Sequence, residues 1–211
     1  PIISNYIKNN QISELDLKYK EISKLLFFIG ALLYSCIFLG INNLFMLLPT
    51  HENLIDSIPV ILILGFNVLI NMGTGFNGEI ITYSKYYKFN LIAIGLLIIL
   101  NVSLNLLFIK VLNYGIEGVA VASLISMILF NLSKLLFIYK KFKILPFDNS
   151  YLKLILVFAL VLLTSYYLPI VNNHLLNLIY KTLFCLSLNL LIIYKLKLVY
   201  SYNFWLEKTI Q

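Results

Sequence analysis

The sequence predicts an all-α integral membrane protein with six transmembrane helices and both ends of the chain on the cytoplasmic side. Three observations carry this reading. Of 211 residues, 61% are hydrophobic and 12% charged, with a mean hydropathy of +0.92; a soluble domain carries about 25% charged residues, and half that share cannot cover a globular surface. Six predominantly apolar stretches approach the roughly 20 residues a helix needs to cross the hydrocarbon core. The lysines between those stretches fall almost entirely on one side.

Residues 1–24 read as a cytoplasmic linker, and the opening Pro1 suggests a piece of a longer protein. Within the linker, Ser13-x-x-Asp16 resembles a capping box, and Leu15, Leu17, Ile22, Leu25 and Leu26 give a partly amphipathic approach. An interfacial helix leading into the bilayer is expected there. Four spans follow within residues 25–139, from Leu25 to Leu48, Ser57 to Gly78, Phe89 to Ile109 and Gly118 to Tyr139. A basic cytoplasmic loop over 140–153 leads to a C-terminal transmembrane hairpin over 154–194, with arms from Leu154 to Leu168 and from Leu175 to Tyr194. Pro169 and the Asn172-Asn173-His174 cluster divide the arms, because a single long span would leave two asparagines in lipid and an interfacial turn does not. Residues 195–211 form a cytoplasmic tail.

All 16 basic residues are lysine, against nine acids, for a net charge of +7. Fourteen of them share one side of the six-span arrangement: Lys8, Lys18, Lys20 and Lys24 before the first span, Lys85 and Lys88 after the second, Lys134, Lys140, Lys141, Lys143 and Lys153 around the fourth loop, and Lys195, Lys197 and Lys208 in the tail. The other side has only Lys110, while Lys181 lies in the first turns of the last span, where it can snorkel outward. Such a division requires an even number of crossings with both ends inside, and an odd number would scramble it. The basic excess therefore marks a membrane face, and nucleic acid is not expected as a partner.

The exterior loops Pro49 to Asp56, Lys110 to Glu117 and Pro169 to His174 are too short for a catalytic domain. No Gly-rich phosphate loop, no Ser/His/Asp grouping and no close carboxylate pair within a span occurs. Without arginine there is no bidentate fork for a phosphate. Cys36 and Cys185 lie in separate apolar runs with no second Cys or His at ligand spacing, and His51 and His174 stand alone beside predicted turns. Glu79 and Glu117 fall at helix ends, where acids are solvated. No enzymatic activity, metal or cofactor is expected.

Asparagine is the main polar residue inside the spans. Asn67 and Asn71 are four apart and would share a face with Gly75 and Gly78, and Asn101 and Asn105 repeat the spacing. Such pairs either bond helix to helix or line a watery path for a polar substrate. With 20 asparagines in the chain, interhelical bonding is the plainer reading, and Asn67 and Asn71 are candidate pathway residues only. Gly118, Ala122 and Ser126 succeed one another at i, i+4 and i+8, a helix-packing face of small residues that lets backbones approach closely in lipid.

The stretch N101-V-S-L-N-L-L-F-I-K-V-L-N-Y-G-I-E-G-V-A-V-A-S-L-I-S126 resembles the C-terminal region of the oligosaccharide flippase, or polysaccharide biosynthesis, family, part of the multidrug, oligosaccharidyl-lipid and polysaccharide exporter superfamily. The shared pattern is Asn, three residues, Asn-Leu, a short turn, Tyr-Gly-Ile-x-Gly, and a small-residue helix ending in Ser. G75-F-N-G-E-I-I-T-Y-S-K85 is similar to the family's helix end before a Gly/Ser-Lys turn, and K140-K-F-K-I-L-P-F147 to its basic link into the last hairpin. The opening from Pro1 to Leu26 is similar to its linker between the eighth and ninth helices. Members often carry Ile-Pro before the Tyr-Gly turn, where this chain has Ile109 followed by Lys110-Val-Leu-Asn.

The resemblance implies the last six helices of a 14-helix, two-lobe alternating-access transporter in the cytoplasmic membrane, one that moves lipid-linked oligosaccharide between leaflets. Its partners would be membrane lipid, that substrate and the missing N-terminal lobe of the parent. The family's charged cavity residues would lie largely on absent helices, and the second span corresponds to a helix near the cavity, which is why Asn67 and Asn71 outrank the other asparagines. The rivals are a drug or metabolite exporter of the same superfamily, which should carry a buried acid between Ser57 and Gly78 where this chain has none, a membrane polysaccharide polymerase, which should carry larger exterior loops, and a purely structural membrane subunit.

Overall fold

The computed structural model describes residues 2–210; Pro1 and Gln211 lie outside them. Along the described residues the helices are α1 (Ile2–Lys8), α2 (Ile12–Met46), α3 (His51–Ile55), α4 (Ile58–Gly73), α5 (Asn77–Thr82), α6 (Tyr87–Leu106, prolonged by a π turn over Leu107–Val111), α7 (Gly115–Phe142), α8 (Asn149–Tyr166), α9 (His174–Lys195) and α10 (Tyr200–Ile210). Five of them, α2, α6 with its π turn, α7, α8 and α9, are long and apolar enough to cross a membrane. The chain is an all-α protein of the multi-pass membrane kind.

Local chemistry explains most boundaries. Pro59 sits in the first turn of α4, where its missing N–H is no loss. Asp148 caps α8 by accepting the Tyr151 N–H at 2.7 Å, and Asn173 caps α9 by accepting from the Leu175 and Leu176 N–H groups. The expected turn of the hairpin thus lies between Tyr166 and His174, with one of its asparagines serving as the cap. Helix α7 stops at Lys143, which adopts the left-handed conformation at φ 60.

Two expected segments differ. The stretch from Ser57 to Gly78 is not one helix: α4 ends at Gly73 and α5 begins at Asn77, because Gly75 at φ +68 turns the chain out of helical geometry. With 16 residues, α4 reaches roughly 24 Å at 1.5 Å per residue, less than the ~30 Å hydrocarbon core. The other difference is at the start. Residues 12–24 continue into the first span as a single 35-residue helix, α2, with Gln11 at its N-cap and no side-chain capping bond. Ser13 is inside that helix, and Asp16 pairs with Lys20 at 2.5 Å instead of completing a capping box.

α2 is the spine. It packs on α4 along one side and on α9 and α8 along another; α4 also packs on α7, and α7 on α6. The spatial succession is therefore α6, α7, α4, α2 and the α8–α9 hairpin, with the broken helix in the middle. Leu15, Tyr19, Phe76, Ile80, Ile81 and Ile138 form one buried cluster around α5, and Phe28, Ala31, Leu69, Leu154, Phe158 and Ile193 form another deeper along α2. By contrast α6 leaves Leu91, Leu96 and Ile99 more than half exposed, as a helix bathed in lipid or covered by a further element would.

Candidate functional site

Breaking α4 frees carbonyl groups that a continuous helix would have used, and in an apolar surrounding each must find another donor. Two tyrosines supply them. The Tyr151 hydroxyl, from α8, donates to the Gly73 carbonyl at 2.7 Å, and the Tyr19 hydroxyl, from α2, donates to the Thr74 carbonyl at 3.1 Å. Both tyrosines are almost fully buried. Small residues at the break admit them. A Cβ on Gly73 would stand 2.7 Å from the Tyr151 oxygen, and one on Gly75 would stand 2.1 Å from Ser23 Oγ.

The third wall is α7. Asn131, 2% exposed, accepts at Oδ1 from Thr74 Oγ1 at 3.2 Å and from Asn77 Nδ2 at 3.1 Å, and its own Nδ2 donates to Asn71 Oδ1 at 3.3 Å. One side chain thus joins the end of α4, the break and the start of α5. One turn further, Lys134 is buried with its ammonium 3.9 Å from the Phe130 ring centroid and directed at Gly78. The sequence places Lys134 with the cytoplasmic loop lysines, but it lies within α7, eight residues before the helix ends.

Above the break, an apolar cleft of about 400 Å³ lies between α4 and α8 on a floor of α2. Phe27, Tyr34, Phe66 and Phe158 line it, and Gly73, Thr74 and Tyr151 form the end where it meets the polar junction.

The residues singled out from sequence separate into three groups. Asn71 belongs to the junction through Asn131, whereas Asn67 does not, and its Oδ1 is buried without a hydrogen-bond partner. Gly75 and Gly78 do not prolong their face, since the helix turns away before reaching them. Asn105 donates to Asn101 at 2.9 Å, and Asn101 to Ser123 at 3.4 Å, a bond between α6 and α7. Gly118, Ala122 and Ser126 are all buried, and a Cβ on Gly118 would stand 2.9 Å from Phe108 Cβ in the π turn. Lys181, expected to snorkel outward, is buried and donates to the Tyr166 carbonyl at the end of α8. Cys36 and Cys185 are free thiols, and His174 lies 3.3 Å from Asn43.

Sequence reasoning misses Tyr19, Ser23, Thr74, Asn77, Asn131 and Tyr151. The signal available for the break itself is the Gly73-Thr74-Gly75 run inside an otherwise apolar span. Compared with protein-family models, curated proteins and solved structures, the chain matches none of them.

Proposed function

We propose that this chain is the C-terminal part of a flippase that moves lipid-linked oligosaccharide across the cytoplasmic membrane. The observation that carries the reading is the junction of an aromatic-lined apolar cleft with a polar helix break. A lipid-linked sugar has both characters, and interrupted helices recur where transporters hold polar substrates, because the exposed backbone there must line a cavity or be buried in protein. The family resemblance of residues 75–147 supports the same conclusion.

In this reading α4 and α5 together make the second of six crossings, and both chain ends face the cytoplasm. The break then lies toward the cytoplasmic end of that crossing, where Tyr19 meets Thr74, Gly73 meets Tyr151 and Asn77 meets Asn131, and Lys24 pairs with Asp148 at 2.9 Å at the start of α8.

Two experiments test this. With Cys36 and Cys185 replaced by serine, single cysteines at Asn53 and Asn172 should react with an impermeant thiol reagent in intact cells, and one at Asp148 should not. Labelling of position 148 from outside would overturn the topology. For function, the parent protein should restore surface polysaccharide to a flippase-deficient strain, scored against membrane protein level, and the six-helix piece alone should not. Restoration by the piece, or failure of the parent with every lipid-linked glycan tested, would end the flippase reading.

A further inference from the structure

We infer that α10 is an interfacial helix whose aromatic face sits in the phospholipid headgroup layer. The inference rests on the membrane character of the chain and not on what it transports.

One side of α10 is fastened to the bundle. The Tyr202 ring lies 5.0 Å from that of Phe28 in a tilted pair, Asn203 donates to the Tyr194 carbonyl at 2.9 Å, and Ser201 donates to Glu21 at 2.7 Å. Leu198 and Val199, just before the helix, are buried in the cluster around Phe28. These contacts set the depth of α10. It lies against α2 between Glu21 and Phe28, and Lys24, within that interval, is the last charged residue of α2 before an uncharged, mostly apolar run to its end. The helix is held where polar chain gives way to bilayer.

Tyr200, Phe204 and Lys208 follow one another at i, i+4 and i+8 along α10, with Trp205 beside Phe204. Tyr200 is 69%, Phe204 57% and Trp205 64% exposed, and the Tyr200 and Phe204 rings stack at 6.1 Å. Three large aromatics bared on an 11-residue helix would be a liability in water, whereas Trp and Tyr concentrate where an apolar ring meets headgroups. Charge agrees. Between residues 195 and 211 the chain has Lys195, Lys197 and Lys208 against Glu207 alone, and basic residues flanking an aromatic face favour an anionic leaflet.

Trp205 is the only tryptophan in the 211 residues and reports on this face directly. The chain is placed in nanodiscs of phosphatidylcholine and phosphatidylglycerol, with bromines either high or low on the acyl chains. Trp205 emission should be quenched most by the high bromines, and iodide should quench it only weakly. Tyr200→Ser with Phe204→Ser should weaken bromine quenching and strengthen iodide quenching. The same variant should leave thermal unfolding in detergent unchanged, because Tyr202 and Asn203 still hold the helix. Strong iodide quenching with no bromine effect would place the face in water and overturn the inference. So would strongest quenching by the low bromines, which means insertion, or protection from both quenchers, which means burial against another protein surface.

Discussion

The Tyr151 hydroxyl occupies the place where a side chain on residue 73 would begin: it lies 2.7 Å from the Gly73 carbonyl oxygen and 2.7 Å from the position of a Cβ on Gly73. The glycine and the tyrosine are therefore one device, in which absence of a side chain admits the donor that satisfies the helix end. Tyr151→Phe should leave that carbonyl without its donor and lower stability by about 1–3 kcal/mol. Gly73→Ala should do at least as much by expelling the hydroxyl. Thermal unfolding in detergent checks both, and the double variant should be less destabilised than the two single losses added together, because each removes the same bond.

At the break itself, Gly75→Ala should be worse. Alanine at positive φ costs about 1–2 kcal/mol, and its Cβ would meet Ser23 Oγ at 2.1 Å. Ser23→Ala alone should be tolerated or stabilising, since that buried hydroxyl has no hydrogen-bond partner to lose. Combined with Gly75→Ala it should recover part of the folded yield. The yield of monodisperse protein measures the series.

Asn131 and Asn71 should separate. Asn131→Leu removes the partner of both Asn77 and Asn71, while Thr74 Oγ1 keeps the Asn71 carbonyl at 2.9 Å, so a loss of about 1–3 kcal/mol is expected. Asn71→Leu removes one 3.3 Å bond, a loss nearer the ~0.6 kcal/mol typical of a hydrogen bond between membrane helices. If Asn71 lines the substrate path, Asn71→Leu in the parent should abolish flipping at normal expression. Reduced expression with flipping in proportion would assign it to helix bonding instead.

Acid should loosen the start of the C-terminal hairpin. Burial raises the Asp148 carboxyl pKa, but the Lys24 ammonium and the Tyr151 N–H outweigh it and hold the group below the ordinary carboxylate range. A depressed folded pKa stabilises at pH values above about 3.9, the unfolded value, and that contribution disappears as pH falls through the folded value. Asp148→Asn keeps a capping oxygen and loses the ion pair. Its stability deficit should be constant near neutral pH and close below about pH 4, as read by unfolding midpoints across pH.

On α7, Ala122→Leu should overpack a fully buried position and lower stability by about 1–3 kcal/mol. Gly118→Ala should also destabilise, because Phe108 and Tyr114 stand within about 3.0 Å of the new Cβ. Unchanged unfolding of Gly118→Ala would mean the π turn moves aside freely, and unchanged unfolding of Ala122→Leu would mean this face makes no close helix contact.

Sequence alone determined the helical class, the apolar segments and their approximate ends, because hydropathy, proline, capping asparagine and lysine placement act over a few neighbouring residues. Asn173 illustrates this, as a polar residue before an apolar run that becomes a cap. It also exposed the small-residue series Gly118, Ala122 and Ser126, since i, i+4 spacing on a helix is a matter of counting. Only tertiary structure decided the junction. Tyr19, Asn131 and Tyr151 are separated by up to 132 residues in sequence, and each carries an ordinary side chain for a membrane helix. What unites them is the demand of freed carbonyls at Gly73 and Thr74 for donors, a demand that exists only once Gly75 has turned the chain. The fate of the tail was hidden for the same reason: Tyr202 and Asn203 find Phe28 and Tyr194 across space, and the aromatics left exposed on α10 acquire a meaning only when those contacts are known.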